Sequence, residues 1–159
     1  IASFLKGTGQ DAKGRFHADI LRFTDEMLEL EHDYIQWLFP LREPSRMVPD
    51  SPYLNDEVII EQLRRDEEAQ ENLVNSLIRM EKFYKNNDHW LQQNDHNHLR
   101  ITRILKSVML LSTPENAKDF YDAIMRRVEK SQPVTQESLE FWKKSIFILT
   151  NEEIMDTKV

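Results

Sequence analysis

The chain has 159 residues, 40% hydrophobic and 31% charged, with a net charge of −7; that length and mixture suit one soluble globular domain over residues 1–159 and exclude a disordered chain. The acidic balance argues against bulk binding to nucleic acid or anionic membranes, and no apolar run approaches the ~20 residues that span a bilayer. The lack of cysteine excludes disulfides, thiolate nucleophiles and Cys-ligated zinc.

All three glycines, Gly7, Gly9 and Gly14, fall near the start, so residues 1–17 are expected to be loop-like and the remainder helical. A short helix is predicted over Ala18–Phe23. Thr24, followed by Asp25 and Glu26, has the pattern of an N-cap with acids in the first turn and starts a second helix that ends near Leu38. Pro40 stops it, and Pro44, Pro49 and Pro52 make Leu41–Tyr53 an ordered loop. Asn55 is the predicted cap of a helix to about Arg65. Leu73, Leu77, Met80 and Tyr84 recur at helical spacing and predict a long amphipathic helix over Glu67–Lys85. Residues 86–94 read as a polar connection pinned by Trp90. Asp95 begins the next helix, with Leu99, Thr102, Leu105, Val108 and Met109 inward. Thr113 and Pro114 then precede a helix with Ala117, Phe120, Tyr121, Ile124 and Val128 on one face. Pro133 breaks it, Thr135 caps a last helix carrying Leu139, Trp142 and Ile146, and residues 151–159 are expected to fray. No strand alternation is evident, so the fold class is all-α: a single-domain bundle of six or seven helices with an ordered proline-rich loop.

Three constellations bear on chemistry. Gly9 and Gly14 bracket four residues before Arg15, yet a phosphate loop needs Lys and then Ser or Thr after its last glycine, with a strand before the first; here Arg15 and Phe16 follow and no strand precedes. A loop with free N–H groups beside an arginine still suits an anion. His96 and His98 stand two apart, which on a helix points them about 200° round the axis from one another, so no metal site is assigned to them. Arg100 and Arg103 are one turn apart, Lys106 continues the row, and Arg42 in the proline loop is placed to approach. Arginine forks suit carboxylate or phosphate. The favoured reading is a scaffold clamp, with these arginines paired to Glu31, Asp33 or Glu43 to tie the loop after Pro40 to the bundle; an anionic ligand site is the alternative. Trp37, Trp90 and Trp142 are read as core and loop anchors, because an acidic chain lacks the electrostatic term of a base-stacking platform.

Two blocks are too specific to be helix filler: His32 to Ser45, HDYIQWLFPLREPS, and His96 to Leu105, HNHLRITRIL. Together they resemble the conserved domain of the opioid growth factor receptor family, and Gly7 to Arg15, GTGQDAKGR, is similar to the start of its bacterial and fungal members. The resemblance implies a non-catalytic binding domain; animal members are receptors for an opioid peptide, associated with nucleus and perinuclear membrane. Asp11 and Arg15 match the motif at the start. With His32, Asp33, Gln36, Trp37 and Arg42 of the first block and His98, Arg100 and Arg103 of the second, they make up the candidate binding cluster. No catalytic residue, metal ligand or cofactor is assigned, and the expected partner is a peptide, a protein or a small anionic ligand. The rival reading is an enzyme on a phosphorylated or nucleotide substrate, with Arg15, Arg42, Arg100 and Arg103 holding the anion and His32 or His98 shuttling a proton. The chain begins at Ile1 without a methionine, as expected of a fragment, and the absence of an evident leader favours a cytoplasmic location; the resemblance also allows a nuclear or perinuclear one.

Overall fold

The computed structural model describes residues 1–131 and 133–146, which form nine helices and no strand. Four are short: α1 (Ala2–Leu5), α2 (His17–Leu21), α3 (Asp25–Leu30) and α4 (Ile35–Leu38). Five carry the bundle: α5 (Glu57–Arg65), α6 (Glu67–Asn86), α7 (His96–Leu111), α8 (Pro114–Ser131) and α9 (Gln136–Ser145). The all-α expectation holds. The larger number of elements comes from the first 38 residues, where short helices replace longer ones. None of the described helices is long and apolar enough to cross a membrane.

Two helices form the centre. α6 packs against α1, α2, α5, α7 and α8, and α7 packs against α5, α6, α8 and α9. The stripe Leu73, Leu77, Met80 and Tyr84 on α6 is buried as its spacing predicts, and it meets Ile101, Ile104, Leu105 and Val108 from α7. Trp90 and Trp142 are fully buried, and each indole N–H is satisfied: Trp90 Nε1 donates to the Asn87 carbonyl at 2.8 Å and Trp142 Nε1 to the His98 carbonyl at 3.1 Å. Leu99, expected inward, is 63% exposed. The inward row of α7 runs through Asn97, Arg100 or Ile101, Ile104 and Val108, which turns Leu99 outward.

Local chemistry sets the helix starts. Thr24, Asp95 and Thr135 cap α3, α7 and α9, accepting from Met27, Asn97 and Ser138 N–H groups respectively. Asp56 takes the cap of α5 in place of the expected Asn55, because its carboxylate reaches both Val58 and Ile59 N–H. The loop-like reading of residues 1–17 needs correcting: Ala2–Leu5 is helical, and it buries Phe4 and Leu5 against the bundle. Gly7 and Gly14 do turn the chain there, with φ of +87° and +78°. The single helix expected from Thr24 to Leu38 is broken at residues 31–34. Tyr34 Oη donates to the Leu28 carbonyl at 2.7 Å, and Arg100 donates to the Leu28 and Glu31 carbonyls at 2.8 and 2.7 Å. Those side chains supply partners for carbonyls that would otherwise need continued helix.

The segment after Pro40 is the ordered, non-helical loop that its prolines predict. Leu54 N–H donates to the Leu41 carbonyl at 2.7 Å and closes the loop at its neck. Within it, Ser51 Oγ accepts from Ser45 N–H, and Ser45 Oγ accepts from Met47 and Val48 N–H. This holds residues 45–48 over α7, where they form one wall of a cleft. The tail expected to fray, 151–159, lies outside the described residues.

Candidate binding cleft

The cleft lies between α4, the proline loop and α7. It encloses about 240 Å³ and is lined by Ile35, Gln36, Ser45, Met47, Val48 and Leu99, with His32, His96, Arg100 and Arg103 as its ionisable groups. A wider depression of about 430 Å³ adjoins it on the far side of Met47; it shares Ser45, Met47, Leu99 and Arg103 and adds Arg46, Lys106 and Phe141. Met47 and Leu99, at 79% and 63% exposed, form an apolar lip between the two.

Arg100 is buried and spans three elements. Besides the two carbonyls at the end of α3, its Nη1 reaches Asn97 Oδ1 at 3.4 Å, its Nη2 stands 3.5 Å from His32 Nδ1, and its guanidinium lies 5.3 Å over the Tyr34 ring. A cation at the carbonyl end of a helix is favourably placed. Arg103, one turn on, makes a single hydrogen bond, from Nη1 to the Phe39 carbonyl at 3.2 Å. Neither arginine has a carboxylate within salt-bridge distance among the described residues. The expected pairing is therefore corrected: Asp33 bonds to Lys13 and Arg15, Glu31 lies 4.0 Å from Lys13, Glu43 lines the adjoining depression without an ion pair among the described residues, and backbone carbonyls receive the arginines. Burial holds the Arg103 guanidinium below its ordinary pKa, because nothing negative offsets the loss of water.

Other members of the predicted cluster lie elsewhere. Asp11 is buried and saturated: it accepts from Lys13 and Arg15 N–H at 2.9 and 2.8 Å and from Arg15 Nε at 2.6 Å. Arg15 also reaches Asp33 Oδ1 at 3.2 Å. Burial disfavours the Arg15 charge, but Asp11 and Asp33 outweigh it and raise the pKa; burial likewise pushes the Asp33 carboxyl up, and Lys13 with Arg15 brings it below the usual range. Trp37 faces away from the cleft, half-buried, with its ring edge-on to Phe4 at 5.2 Å. Arg42 does not approach Arg100 or Arg103; it pairs with Glu57 at the start of α5. His98 is buried as a bolt. Its Nε2 donates to the Trp90 carbonyl at 2.7 Å, which leaves Nδ1 to accept from the Ser138 hydroxyl at 3.2 Å.

The fold thus brings together four members of the cluster, His32, Gln36, Arg100 and Arg103, and joins them to His96 and the loop wall. Gln36 is buried, and its Nε2 donates to the His32 carbonyl at 3.2 Å. Its Oε1 is enclosed without a hydrogen-bond partner. His96 stands edge-on to His32, ring centroids 5.5 Å apart, with its Nε2 2.8 Å from Glu29 Oε1. The contribution of Ser45, Met47 and Val48 was hidden in the sequence, because loop residues carry no periodicity that assigns them to a face.

These features define a helical domain with an arginine-floored, apolar-walled cleft. The sequence profile of the opioid growth factor receptor conserved region matches residues 15–153 of this chain. The chain belongs to that family. It is 40% identical over 116 residues to the human opioid growth factor receptor, covering 60% of this chain and 17% of the human protein. The rat receptor is 38% identical over 101 residues, 52% of this chain and 17% of that protein. A mouse opioid growth factor receptor-like protein 1 is 30% identical over 141 residues, 76% of this chain and 30% of that protein. The matches thus take up less than a third of each of these relatives. No solved structure matches the chain.

Proposed function

We propose that this chain is a non-catalytic binding module and that its cleft takes the acidic group of a peptide or protein ligand together with a neighbouring apolar side chain. The observation that carries this reading is the pair of cleft arginines without a carboxylate partner among the described residues, one of them desolvated. A ligand carboxylate would restore what burial costs Arg103, in the bidentate geometry that guanidinium favours. Gln36 Oε1, an acceptor without a donor, suits a ligand that also brings an N–H. Ile35, Met47, Val48 and Leu99 offer the apolar wall. A peptide carries all three features, and the relatives' name, receptor for a growth factor, accords with such a ligand. Of the residues in the enzyme reading, Arg15, Arg42 and His98 are committed elsewhere, whereas His32, Arg100 and Arg103 line the cleft.

Thermal melts decide the matter, run with short apolar peptides ending in a free carboxylate, the same peptides amidated, and inorganic phosphate. The free-acid peptides are expected to raise the melting temperature and the amidated ones to have little effect; a ligand at a hundred times its Kd stabilises by about 2.7 kcal/mol. Arg103→Ala is expected to abolish the shift. No shift with any probe, or an equal shift in Arg103→Ala, would overturn the proposal.

A further inference from the structure

The helical spacing of His96 and His98 is wrong for a shared metal, and His98 is sealed against Trp90 and Ser138. The fold assembles a different set beside the cleft. One carboxylate oxygen of Glu29 on α3, one ring nitrogen of His89 in the α6–α7 connection and one carboxylate oxygen of Asp95 at the cap of α7 all lie within 4.8 Å of one another. His89 Nε2 is 3.4 Å from Glu29 Oε2. Two donors each about 2.0–2.1 Å from a tetrahedral zinc stand about 3.3 Å apart, so this pair already has the length of a coordination edge. Asp95 lies within 4.8 Å of both.

Two further observations point to a cation. Neither Glu29 nor Asp95 is paired with a lysine or arginine among the described residues; the only cationic partners they have are histidines. The two carboxylates offer oxygens within 4.8 Å of each other at a partly exposed site, with no lysine or arginine paired to either among the described residues. The carboxylates are also held from behind. Asn97 Nδ2 donates to Glu29 Oε2 at 3.0 Å and to Asp95 Oδ1 at 2.9 Å, Gln92 Nε2 donates to Asp95 Oδ2 at 3.0 Å, and His96 Nε2 sits against the other Glu29 oxygen at 2.8 Å. Asn97 is itself fixed, because its Oδ1 accepts from the buried Tyr84 hydroxyl at 3.1 Å. Outer partners of this kind orient metal ligands.

We infer that Glu29, His89 and Asp95 form a binding site for a divalent transition ion of the zinc type, with the fourth position open to solvent. The mixed nitrogen and oxygen donors select such an ion over magnesium or calcium, which prefer oxygen alone. The proposal does not rest on the cleft proposal, since none of the three ligands lines the cleft.

The test is calorimetric titration of the chelator-treated full chain with zinc chloride, accompanied by the visible spectrum of the cobalt form. One equivalent of zinc and a tetrahedral or five-coordinate cobalt spectrum are expected, with magnesium giving no heat. His89→Ala, on an exposed connection, is expected to weaken zinc binding at least tenfold with an unchanged far-ultraviolet spectrum, and Glu29→Gln to do the same. Affinity should fall in acid, because metal ligands bind in their deprotonated form. Absence of stoichiometric binding, or equal binding by His89→Ala, would overturn the site and leave a network of histidine–carboxylate hydrogen bonds.

Discussion

Arg15 and Arg103 are the same residue put to opposite uses. Arg15 is closed on two carboxylates, Asp11 and Asp33, and holds the first loop of the chain to the start of the first motif block. Arg103 is half-buried with one carbonyl for company and a cleft in front of it. Arg100 stands between them in character: buried, without a carboxylate, yet saturated by the carbonyls that end α3. A charge that its own fold neutralises belongs to the scaffold, whereas one left desolvated and unpaired beside a cavity is poised for something from outside.

That contrast is open to breakage at several points, beginning with the largest effect. Arg100→Ala strips partners from the end of α3 and is expected to destabilise by about 3–4 kcal/mol in urea unfolding; a loss under about 1 kcal/mol would mean that Arg100 is not part of the scaffold. Acid sharpens the contrast because it reaches the carboxylates of the Arg15 network, whereas no carboxylate pairs with the cleft arginines among the described residues. Asp33 and Asp25 have lowered pKa values, each despite burial, through Lys13 and Arg15 in one case and Arg79 and Asn87 in the other. Their contribution is therefore fully present above the unfolded carboxylate pKa and disappears as the pH falls through the folded values. His17 adds a separate window. It is buried with its pKa lowered to about 4, and because the Ser76 hydroxyl donates to the Asn72 carbonyl, His17 Nε2 donates to Ser76 at 2.8 Å. The unfolded chain takes up this proton first, so stability should fall by about 2–3 kcal/mol between pH 6.5 and pH 4. His17→Gln should flatten that part of a melting-temperature profile, and an unchanged profile would remove His17 from the account.

Asp11→Ala frees two backbone N–H groups and one side of Arg15, and is expected to cost about 2 kcal/mol in denaturant unfolding. The smallest effect is expected at Arg103→Ala. It deletes one hydrogen bond and relieves one unpaired, half-buried charge, so the unliganded protein should change by less than about 1 kcal/mol. A loss as large as that of Arg100→Ala would erase the distinction between the two arginines and return Arg103 to the scaffold.

Much of the fold was legible in the sequence for a physical reason: its signals are local. The stripe on α6, the caps Thr24, Asp95 and Thr135, and the helix-free stretch after Pro40 each depend on residues within a turn or two. Where a distant side chain competes with local propensity, the reading fails. The helix predicted from Thr24 to Leu38 breaks because Arg100, from another part of the chain, takes its carbonyls. Ala2–Leu5 turns helical because Phe4 finds Trp37 and His17 to pack against.

The sequence by itself determined an all-helical chain, its family blocks, and the presence of arginines, histidines and carboxylates in number. Only the tertiary structure decided which of those charges meet. It gave Asp33 to Arg15 and withheld it from Arg100, sent Arg42 to Glu57 and His98 into the core, and brought Glu29 to His89 and Asp95. Backbone hydrogen bonds and helical periodicity act over a few residues, but ion pairing acts through space, and its partners exist only once the helices have docked.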